Sequence, residues 1–297
     1  MKYPLCAVIA AAALALALPA FSGSPSVTAR MNVGSVEIIS LNDASIDMSA
    51  TLFKNGEPKV IGELMPSGKA SASVSAYVIR SGSRCVLVDA GIGTDGPMKG
   101  KLQQALASAG IKPSQIEAVL ITHGHFDHIG GLVEKGKPVF PNASIYLSKK
   151  EAAAYDDKAL AAIPAEIRKH FEPANRMLKV YAARVKTFEP GERVIDGITS
   201  VDLSGHTPGQ CGYLVESKGE KILFAGDFLH IQAVQFAHPD YSLVYDGDIA
   251  AAASTRNKLL DRLSSEHLLF AASHLEFPGI GIVEKKGQAY SFVPKKK

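Results

Sequence analysis

The sequence has no tryptophan and only three cysteines among its 297 residues. No two cysteines form a CxxC pair, which argues against a cysteine-based zinc or redox site. The chain also has little excess of one charge, because it contains 32 Lys and Arg residues and 29 Asp and Glu residues, for a formal net charge of +3. Nucleic-acid binding usually needs a clustered basic face. We therefore expect no nucleic-acid partner.

Long apolar runs are absent except at the start of the chain. Lys2 precedes the apolar run Leu5–Leu18, and small residues follow it. The run is shorter than the ~20 residues that a membrane-spanning helix needs. This pattern is typical of a secretory signal peptide, here residues 1–25 with cleavage near Gly23, and an uncleaved anchor is the alternative. We predict an exported protein, periplasmic or secreted, with no stable membrane insertion after cleavage.

The two remaining cysteines, Cys85 and Cys211, lie in strand-like apolar runs. Export would permit a disulfide between them. Nothing in their spacing demands one, so we interpret both as buried thiols and leave their pairing open.

Residues 30–297 mix strand and helix patterns without a linker or a repeat, which predicts one domain. Strand-like runs include Ser35–Asn42, a hairpin of VSAYVIRSG and CVLVDAG, IEAVLIT, SIYLS, GITSVDLS, a second hairpin GYLVESKGEKILFAG, and HLLFAAS. Helical patterns cover Met98–Gly110, KKEAAAYDDKALAAI and Asp248–Ser265. Hairpins and helices together predict an α/β (α+β) fold with mixed sheets covered by helices.

Four of the predicted strands end in a small residue or two followed by a side chain that can bind metal. These residues are His123, His206, Asp227 and His274. The crevice beyond the carboxyl ends of strands is where sites assemble in α/β folds. We therefore expect the four side chains to share one site.

The segment HGHFDH adds three more candidate ligands to this site. In an extended segment His123 and His125 point the same way, while Asp127 and His128 can face a second centre. One metal would then take His123, His125 and His206, and the other would take Asp127, His128 and His274. Asp227 would bridge them, and two metals together lower the pKa of a bridging hydroxide.

Imidazole and carboxylate ligands suit zinc, with manganese, iron or cobalt also possible. We count Asp127 and Asp227 as catalytic as well as metal-binding. His230, three residues past Asp227, would either assist proton transfer or pack beside the ligands. Asp89 is expected to hold the ligand loops by accepting hydrogen bonds from backbone N–H groups. The lone histidines His170 and His267 are expected to be ordinary surface or core residues.

The segments HGHFDH, SGHTPG, FAGD and SH resemble the metallo-β-lactamase superfamily over essentially the whole predicted mature chain. The resemblance implies an αββα sandwich with two metals at one edge between two sheets. The segments GDFLHIQAVQF, DGDIAAAASTR and ASHLEFPGIG are similar to methyl parathion hydrolase and its exported relatives. Those are two-metal hydrolases of phosphotriesters, aryl esters and lactones, and the resemblance implies the same seven ligands as above.

This sequence departs from the phosphotriester-cleaving members in its expected substrate pocket. Tyr155 follows SKKEAAA where those members carry tryptophan, and Asp95 stands where a pocket phenylalanine is expected. Phe171 and Phe236 remain as further aromatic candidates for the pocket walls. The departures favour an ester or lactone substrate over a phosphotriester.

Hydrolysis of a lactone or aryl ester by a metal-bridging hydroxide is the leading hypothesis. A β-lactamase is disfavoured because such enzymes usually have Cys or Ser where Asp227 stands. A glyoxalase II-like thioesterase, a nuclease and a non-catalytic metal-binding scaffold are less favoured functions for the same ligand set. The expected partner is a small-molecule ester or lactone, and a homodimer is left open.

Overall fold

The computed structural model describes residues 26–295, so the predicted signal peptide lies outside the described residues. The strands, in chain order, are β1 (Thr28–Val33), β2 (Val36–Ser49), β3 (Lys69–Ser81), β4 (Arg84–Val88), β5 (Ala118–Leu120), β6 (Val133–Glu134), β7 (Lys137–Pro138), β8 (Ser144–Ser148), β9 (Val185–Phe188), β10 (Arg193–Ile195), β11 (Ile198–Asp202), β12 (Cys211–Ser217), β13 (Glu220–Phe224), β14 (Leu269–Ala271), β15 (Ile280–Lys286) and β16 (Ala289–Pro294).

Most helices are short, and one long helix lies near the carboxyl end of the chain. They are α1 (Pro58–Leu64), α2 (Leu102–Ser108), α3 (Phe126–Ile129), α4 (Lys149–Ala154), α5 (Asp157–Ala161), α6 (Ala165–Arg168), α7 (Glu172–Val180), α8 (Gln232–Gln235) and α9 (Ile249–Ser265). In the part of the chain that the structure describes, no helix is long and apolar enough to cross a membrane.

Two seven-stranded mixed sheets form the framework. The first has the order β1-β2-β3-β4-β5-β8-β9, and the second has the order β10-β11-β12-β13-β14-β15-β16. In the first sheet β4, β5, β8 and β9 run parallel to one another, and in the second β13 and β14 are the parallel pair. Among these parallel strands, β5, β13 and β14 lead into predicted ligands, and the remaining ligand loop follows the antiparallel strand β11.

Apolar side chains form one layer between the sheets and one on each outer face. Tyr77, Val88 and Leu120 of the first sheet pack against Tyr213 and Phe224 of the second. The other face of the first sheet packs against α2 and α7, and the other face of the second packs against α9. This helix–sheet–sheet–helix stacking confirms the predicted αββα fold.

Both predicted hairpins form, as β3–β4 and β12–β13, each an antiparallel pair. Two helix predictions were too long. Helix α2 begins at Leu102 rather than Met98, because the buried carboxylate of Asp43 accepts the backbone N–H of Leu102 and holds the preceding loop. The predicted helix over KKEAAAYDDKALAAI is divided into α4 and α5, because Asp156 takes an extended conformation and caps α5.

The first strand begins at Thr28, two residues before the start predicted for the domain. Cys85 and Cys211 are both buried and unpaired. They belong to different apolar layers, Cys85 outside the first sheet and Cys211 between the sheets. The interpretation as buried thiols is therefore confirmed.

Candidate metal centre

The loops after β5, β11, β13 and β14 meet at one edge of the sandwich, as the sequence predicted. Three histidines from two of these loops form the first group. Nε2 of His123 lies 3.1 Å from Nδ1 of His125, and Nε2 of His206 lies 3.0 Å from the same nitrogen. Ligand nitrogens ~2.0–2.1 Å from a tetrahedral zinc ion stand roughly 3.3–3.4 Å apart. The spacing of the three nitrogens is close to what such an ion requires.

A second group forms from Asp127, His128, Asp227 and His274. His274 Nε2 lies 2.9 Å from Asp227 Oδ2 and 3.4 Å from Asp127 Oδ2. His128 Nε2 lies 3.2 Å from Asp227 Oδ1. The structure thus brings together all seven side chains predicted as ligands, in the two sets predicted.

Asp227 lies between the two groups and is 2% exposed. Its Oδ2 atom is 3.7 Å from His123 Nε2 and 3.6 Å from His206 Nε2, in addition to its contact with His274. The carboxylate therefore faces both groups, as a bridging ligand must.

The outward-facing nitrogens of the rings are held by partners that fix which nitrogen points into the site. Asp89 accepts from Nδ1 of His128 at 2.8 Å, and from the backbone N–H and hydroxyl of Thr122. Asp89 adopts a left-handed backbone conformation with φ of 57°. Few non-glycine residues adopt this conformation. The expectation that Asp89 holds a ligand loop through a backbone N–H group is therefore confirmed.

Sequence reasoning missed two other partners. Asp246 lies 2.9 Å from Nδ1 of His206, and Nδ1 of His274 donates to the carbonyl of Ser73 at 2.9 Å. Asp246 lies 40 positions from His206 in the chain. No spacing rule links such distant positions, so only the folded chain could reveal these pairs.

Glu151, also missed, joins the loops that carry the first group. Its buried carboxylate accepts from the backbone N–H of Gly124 at 2.8 Å, from the hydroxyl of Thr207 at 2.8 Å and from the backbone N–H of Gly209 at 2.9 Å. Gly124 lies between His123 and His125, while Thr207 follows His206. One carboxylate therefore sets the position of both loops.

Burial and charge prepare these side chains to bind a cation. Burial, aided by neighbouring histidines, lowers the pKa of His123 well below its usual range and that of His125 to about 3. Burial alone would raise the pKa of Asp227, but His128 and His274 hold it well below its usual range. His123 and His125 are therefore neutral, and Asp227 is ionised, as metal ligands need to be. Burial lowers the pKa of His128 and His274, but Asp227 and Asp127 outweigh it and raise both, so a metal ion would displace a proton from each of these two rings.

The donors also fit a metal because two of them lack any other partner. Buried His128 Nε2 and Asp227 Oδ1 lie 3.2 Å apart, but neither makes a hydrogen bond to the other or to any other described residue. An unpaired buried polar atom costs roughly 1–3 kcal/mol, and divalent cations would satisfy both atoms. The Asp and His donors suit zinc, manganese, iron or cobalt.

His230 lies inside the site. Its Nε2 is 3.2 Å from Asp227 Oδ2, and its ring stacks on His274 at a centroid distance of 5.0 Å. Its backbone N–H donates to the side chain of Gln235, while its buried Nδ1 has no partner among the described residues. His206, Asp227 and His230 also form a third group of side chains close enough to hold a cation. His230 is thus placed either for proton transfer or as a ligand.

The predicted aromatic pocket residues lie in different places. Tyr155 is 4% exposed and packs on Phe171 at a ring distance of 5.6 Å, beneath the loop of His123 and His125. Phe236 stacks on Phe292 at 5.8 Å within the layer between the second sheet and α9. It borders a surface depression of 490 Å³ whose lining includes no predicted ligand. We correct the expectation accordingly: Phe236 belongs to the core and Tyr155 supports the ligand loop.

Other aromatic and apolar side chains surround the site. Phe126, between His125 and Asp127, is 49% exposed and lines a groove of 370 Å³ together with Met98, and Phe126 is what brings this groove next to the ligands, since none of them lines it. Asp95 and Arg176 line the same groove. On the other side, the ring of Tyr245 lies 6.2 Å from that of His230. His170 and His267 are exposed and lie outside the ligand groups.

Comparison with known proteins supports the interpretation of this site. The sequence model described as Metallo-beta-lactamase superfamily matches residues 72–274, which span all seven predicted ligands. The chain is similar to a crystal structure described as hydrolase AbOPH in the beta lactamase superfamily, with 31% identity and a TM-score of 0.87. That match covers 93% of this chain and 99% of the other.

The chain also shares its fold with AidC, described as a dizinc quorum-quenching lactonase, at 24% identity and a TM-score of 0.83. That match covers 92% of this chain and 99% of AidC. Among curated proteins, Ribonuclease TTHA0252 of Thermus thermophilus is 25% identical over 196 residues, 65% of this chain. The chain spans 43% of the length of that ribonuclease. The fold, the ligand geometry and the family match together show that this chain belongs to the metallo-β-lactamase superfamily.

Proposed function

We propose that this protein is an exported, two-metal hydrolase of lactones or aryl esters, related to the methyl parathion hydrolase group. The observation that carries the proposal is Asp227, whose two carboxylate oxygens face two complete groups of metal-binding side chains. The superfamily match and the similarity to a hydrolase at 31% identity support the same conclusion. Zinc is the metal we propose for both positions.

The chemistry expected at this edge divides between the metals and the protein. When bound, two divalent ions polarise a scissile carbonyl and lower the pKa of a water molecule toward neutrality. Asp89, Asp246 and Glu151 orient the rings and loops around them. Because these groups are already oriented, the site does not have to reorganise during the reaction, which lowers the activation free energy.

His230 is the residue that we assign to proton transfer. Burial lowers its pKa to about 4, so its imidazole is neutral at pH 7 and can accept a proton. It would take a proton from the attacking water and return it to the leaving oxygen of the alcohol or phenol. Its buried Nδ1, free of other partners among the described residues, is available for that exchange.

Exposed side chains near the site support the proposed substrate class. Phe126, Met98 and Tyr245 are partly exposed and apolar or aromatic, so they can hold the flat or hydrophobic part of a small substrate. AidC is described as a lactonase in complex with a homoserine product. AidC is 24% identical to this chain, and this similarity supports a shared fold but not a shared activity. Lactone cleavage by this chain is therefore our proposal. Asp95 in the groove wall disfavours the aromatic pocket that a phosphotriester would use.

A substrate panel tests the proposal. Protein lacking residues 1–25 and loaded with zinc would be assayed on an N-acyl homoserine lactone, a p-nitrophenyl ester, a methyl parathion-like triester, a cephalosporin and a glutathione thioester. We expect kcat/KM for a lactone or aryl ester to exceed that for the triester at least tenfold, or about 1.4 kcal/mol. A dominant thioesterase or β-lactamase activity would contradict the proposal and assign that activity to the site instead.

Export is a separate part of the proposal with its own measurement. It is supported by Lys2, the apolar run Leu5–Leu18 and the small residues after it. N-terminal sequencing of the native protein should find a start near Gly23. A chain that still begins at Met1 would contradict cleavage.

A further inference from the structure

A buried arginine on α9 contacts the loops that carry three residues of the site. Arg256 is 1% exposed and contacts none of the seven predicted ligands directly. Its Nε donates to the carbonyl of Phe228 at 2.7 Å, and its Nη2 donates to Asp246 Oδ2 at 3.1 Å. Its Nη1 donates to the carbonyls of Pro239 and Tyr241 at 2.7 and 3.2 Å. All three guanidinium nitrogens therefore have partners.

Two of these contacts lead to the metal centre in one step. Phe228 directly follows Asp227, so the first bond fixes the backbone beside the bridging carboxylate. Asp246 contacts His206 through its other oxygen, at 2.9 Å. Arg256 and Asp246 together therefore link α9 to a ligand of the first group and to the carboxylate shared by both groups.

The third contact reaches His230. The carbonyl of Tyr241 accepts both from Arg256 and from the side-chain amide of Gln235, the latter at 2.9 Å. The other end of that amide accepts the backbone N–H groups of His230 and Ile231 at 2.8 and 3.0 Å. The same guanidinium thus supports the backbone that carries His230.

Helix α9 is hydrogen-bonded to the His206 loop, which fixes the position of Arg256 relative to that loop. Backbone N–H groups of Gly247 and Asp248 donate to the carbonyls of His206 and Gly205. A Cβ atom on Gly205 would lie 2.5 Å from the backbone nitrogen of Ala252, so the loop and the helix are in direct contact. The planar guanidinium also has a fixed donor geometry that lysine cannot reproduce.

We propose that Arg256 is a positioning residue that sets the metal affinity of the site through Asp246 and the backbone of Phe228. The inference rests on the proposed two-metal centre, but it does not depend on which substrate is cleaved. Groups that hydrogen-bond directly to a metal ligand, as Asp246 does to His206, typically change metal affinity 10–100-fold when they are removed, and Arg256 acts through Asp246. Arg256 acts on the ligands from the side opposite the metals, and it needs no contact with substrate.

Zinc titration against a competing chelator tests the proposal on the folded protein. Arg256→Met, Arg256→Lys and Asp246→Asn would be compared with Arg262→Met, which removes a partly exposed arginine of the same helix that pairs with Glu266. We expect Arg256→Met and Asp246→Asn each to weaken zinc binding at least tenfold at one or both positions, and Arg262→Met to leave it unchanged. Arg256→Lys should restore only part of the loss.

A double-mutant cycle separates positioning from general destabilisation. If Arg256 acts through Asp246, the double variant should lose less affinity than the sum of the two single losses predicts. Additive losses, or a lower melting temperature of the metal-free protein with unchanged zinc affinity, would overturn the proposal. If Arg256→Met does not fold, Arg256→Lys and Asp246→Asn carry the same test. Intact zinc binding without ester or lactone turnover would instead count against the proposed function alone.

Discussion

At the scale of single residues, the site depends on carboxylates whose partners the sequence could not fully reveal. The sequence identified Asp127 because it lies within HGHFDH, and Asp227 because it follows a strand that ends in small residues. Asp246 and Glu151 hold the site from distant positions, through His206 and the loops beside it. Their roles follow from burial and from the donors around them, which exist only after folding.

His230 is placed either for proton transfer or as a metal ligand, and a substitution can distinguish these two roles. His230→Asn should keep both metals and lower kcat roughly 10²–10⁴-fold, because general acid–base groups typically contribute that much. Elemental analysis and steady-state kinetics on the same preparation would measure both quantities. Loss of one metal would instead make His230 a ligand, as its closeness to His206 and Asp227 permits.

Tyr155 was expected to line a substrate pocket, and its burial leads to a different prediction. A Cβ atom on Gly124 would lie 2.2 Å from the tyrosine ring, so the ring already fills the space beneath the ligand loop. Tyr155→Trp should therefore destabilise the protein by ~1–3 kcal/mol through overpacking. Urea unfolding would measure this, with Tyr155→Phe as the control of nearly equal volume. Unchanged stability with faster triester hydrolysis would restore the pocket interpretation.

At the scale of elements, the ligands follow short strands, and a capped helix fixes the position of a loop that carries one of them. The three-residue strands β5 and β14 lie in parallel pairs, and the chain turns into the site directly after each. Helix α9 begins after Asp248, whose side chain accepts the backbone N–H of Ala251 at 2.9 Å. This cap lies next to the His206 loop, so the start of α9 belongs to the framework of the site.

Removing the cap of α9 should therefore have a defined cost. Asp248→Ala should lower the free energy of unfolding by about 1 kcal/mol, because N-cap losses are typically of that size. Asp156→Ala, which removes the equivalent cap of the short helix α5, serves as a matched comparison away from the His206 loop. We expect Asp248→Ala alone to weaken zinc binding as well. Equal zinc affinities in both variants would show that α9 does not control the loop.

At the scale of the whole molecule, the sequence predicted mixed sheets covered by helices and the edge where the ligands meet. Hydrophobic runs, hairpin turns and small residues at strand ends are local signals, and they sufficed for both, whereas the αββα layering was implied by the resemblance to the metallo-β-lactamase superfamily. Contacts between distant segments, such as the stacking of Phe236 on Phe292, depend on how the sheets and α9 pack. Local patterns carry no information about such packing, which is why Phe236 was misplaced.

The central claim is that one chain binds two metal ions that share Asp227. Elemental analysis of zinc-saturated protein lacking residues 1–25, after removal of free metal, tests it most directly. We predict two zinc ions per chain, and fewer than two in Asp227→Ala, while the surface control Asp196→Asn retains both. One zinc ion or none in the unaltered protein, or two in Asp227→Ala, would contradict the account.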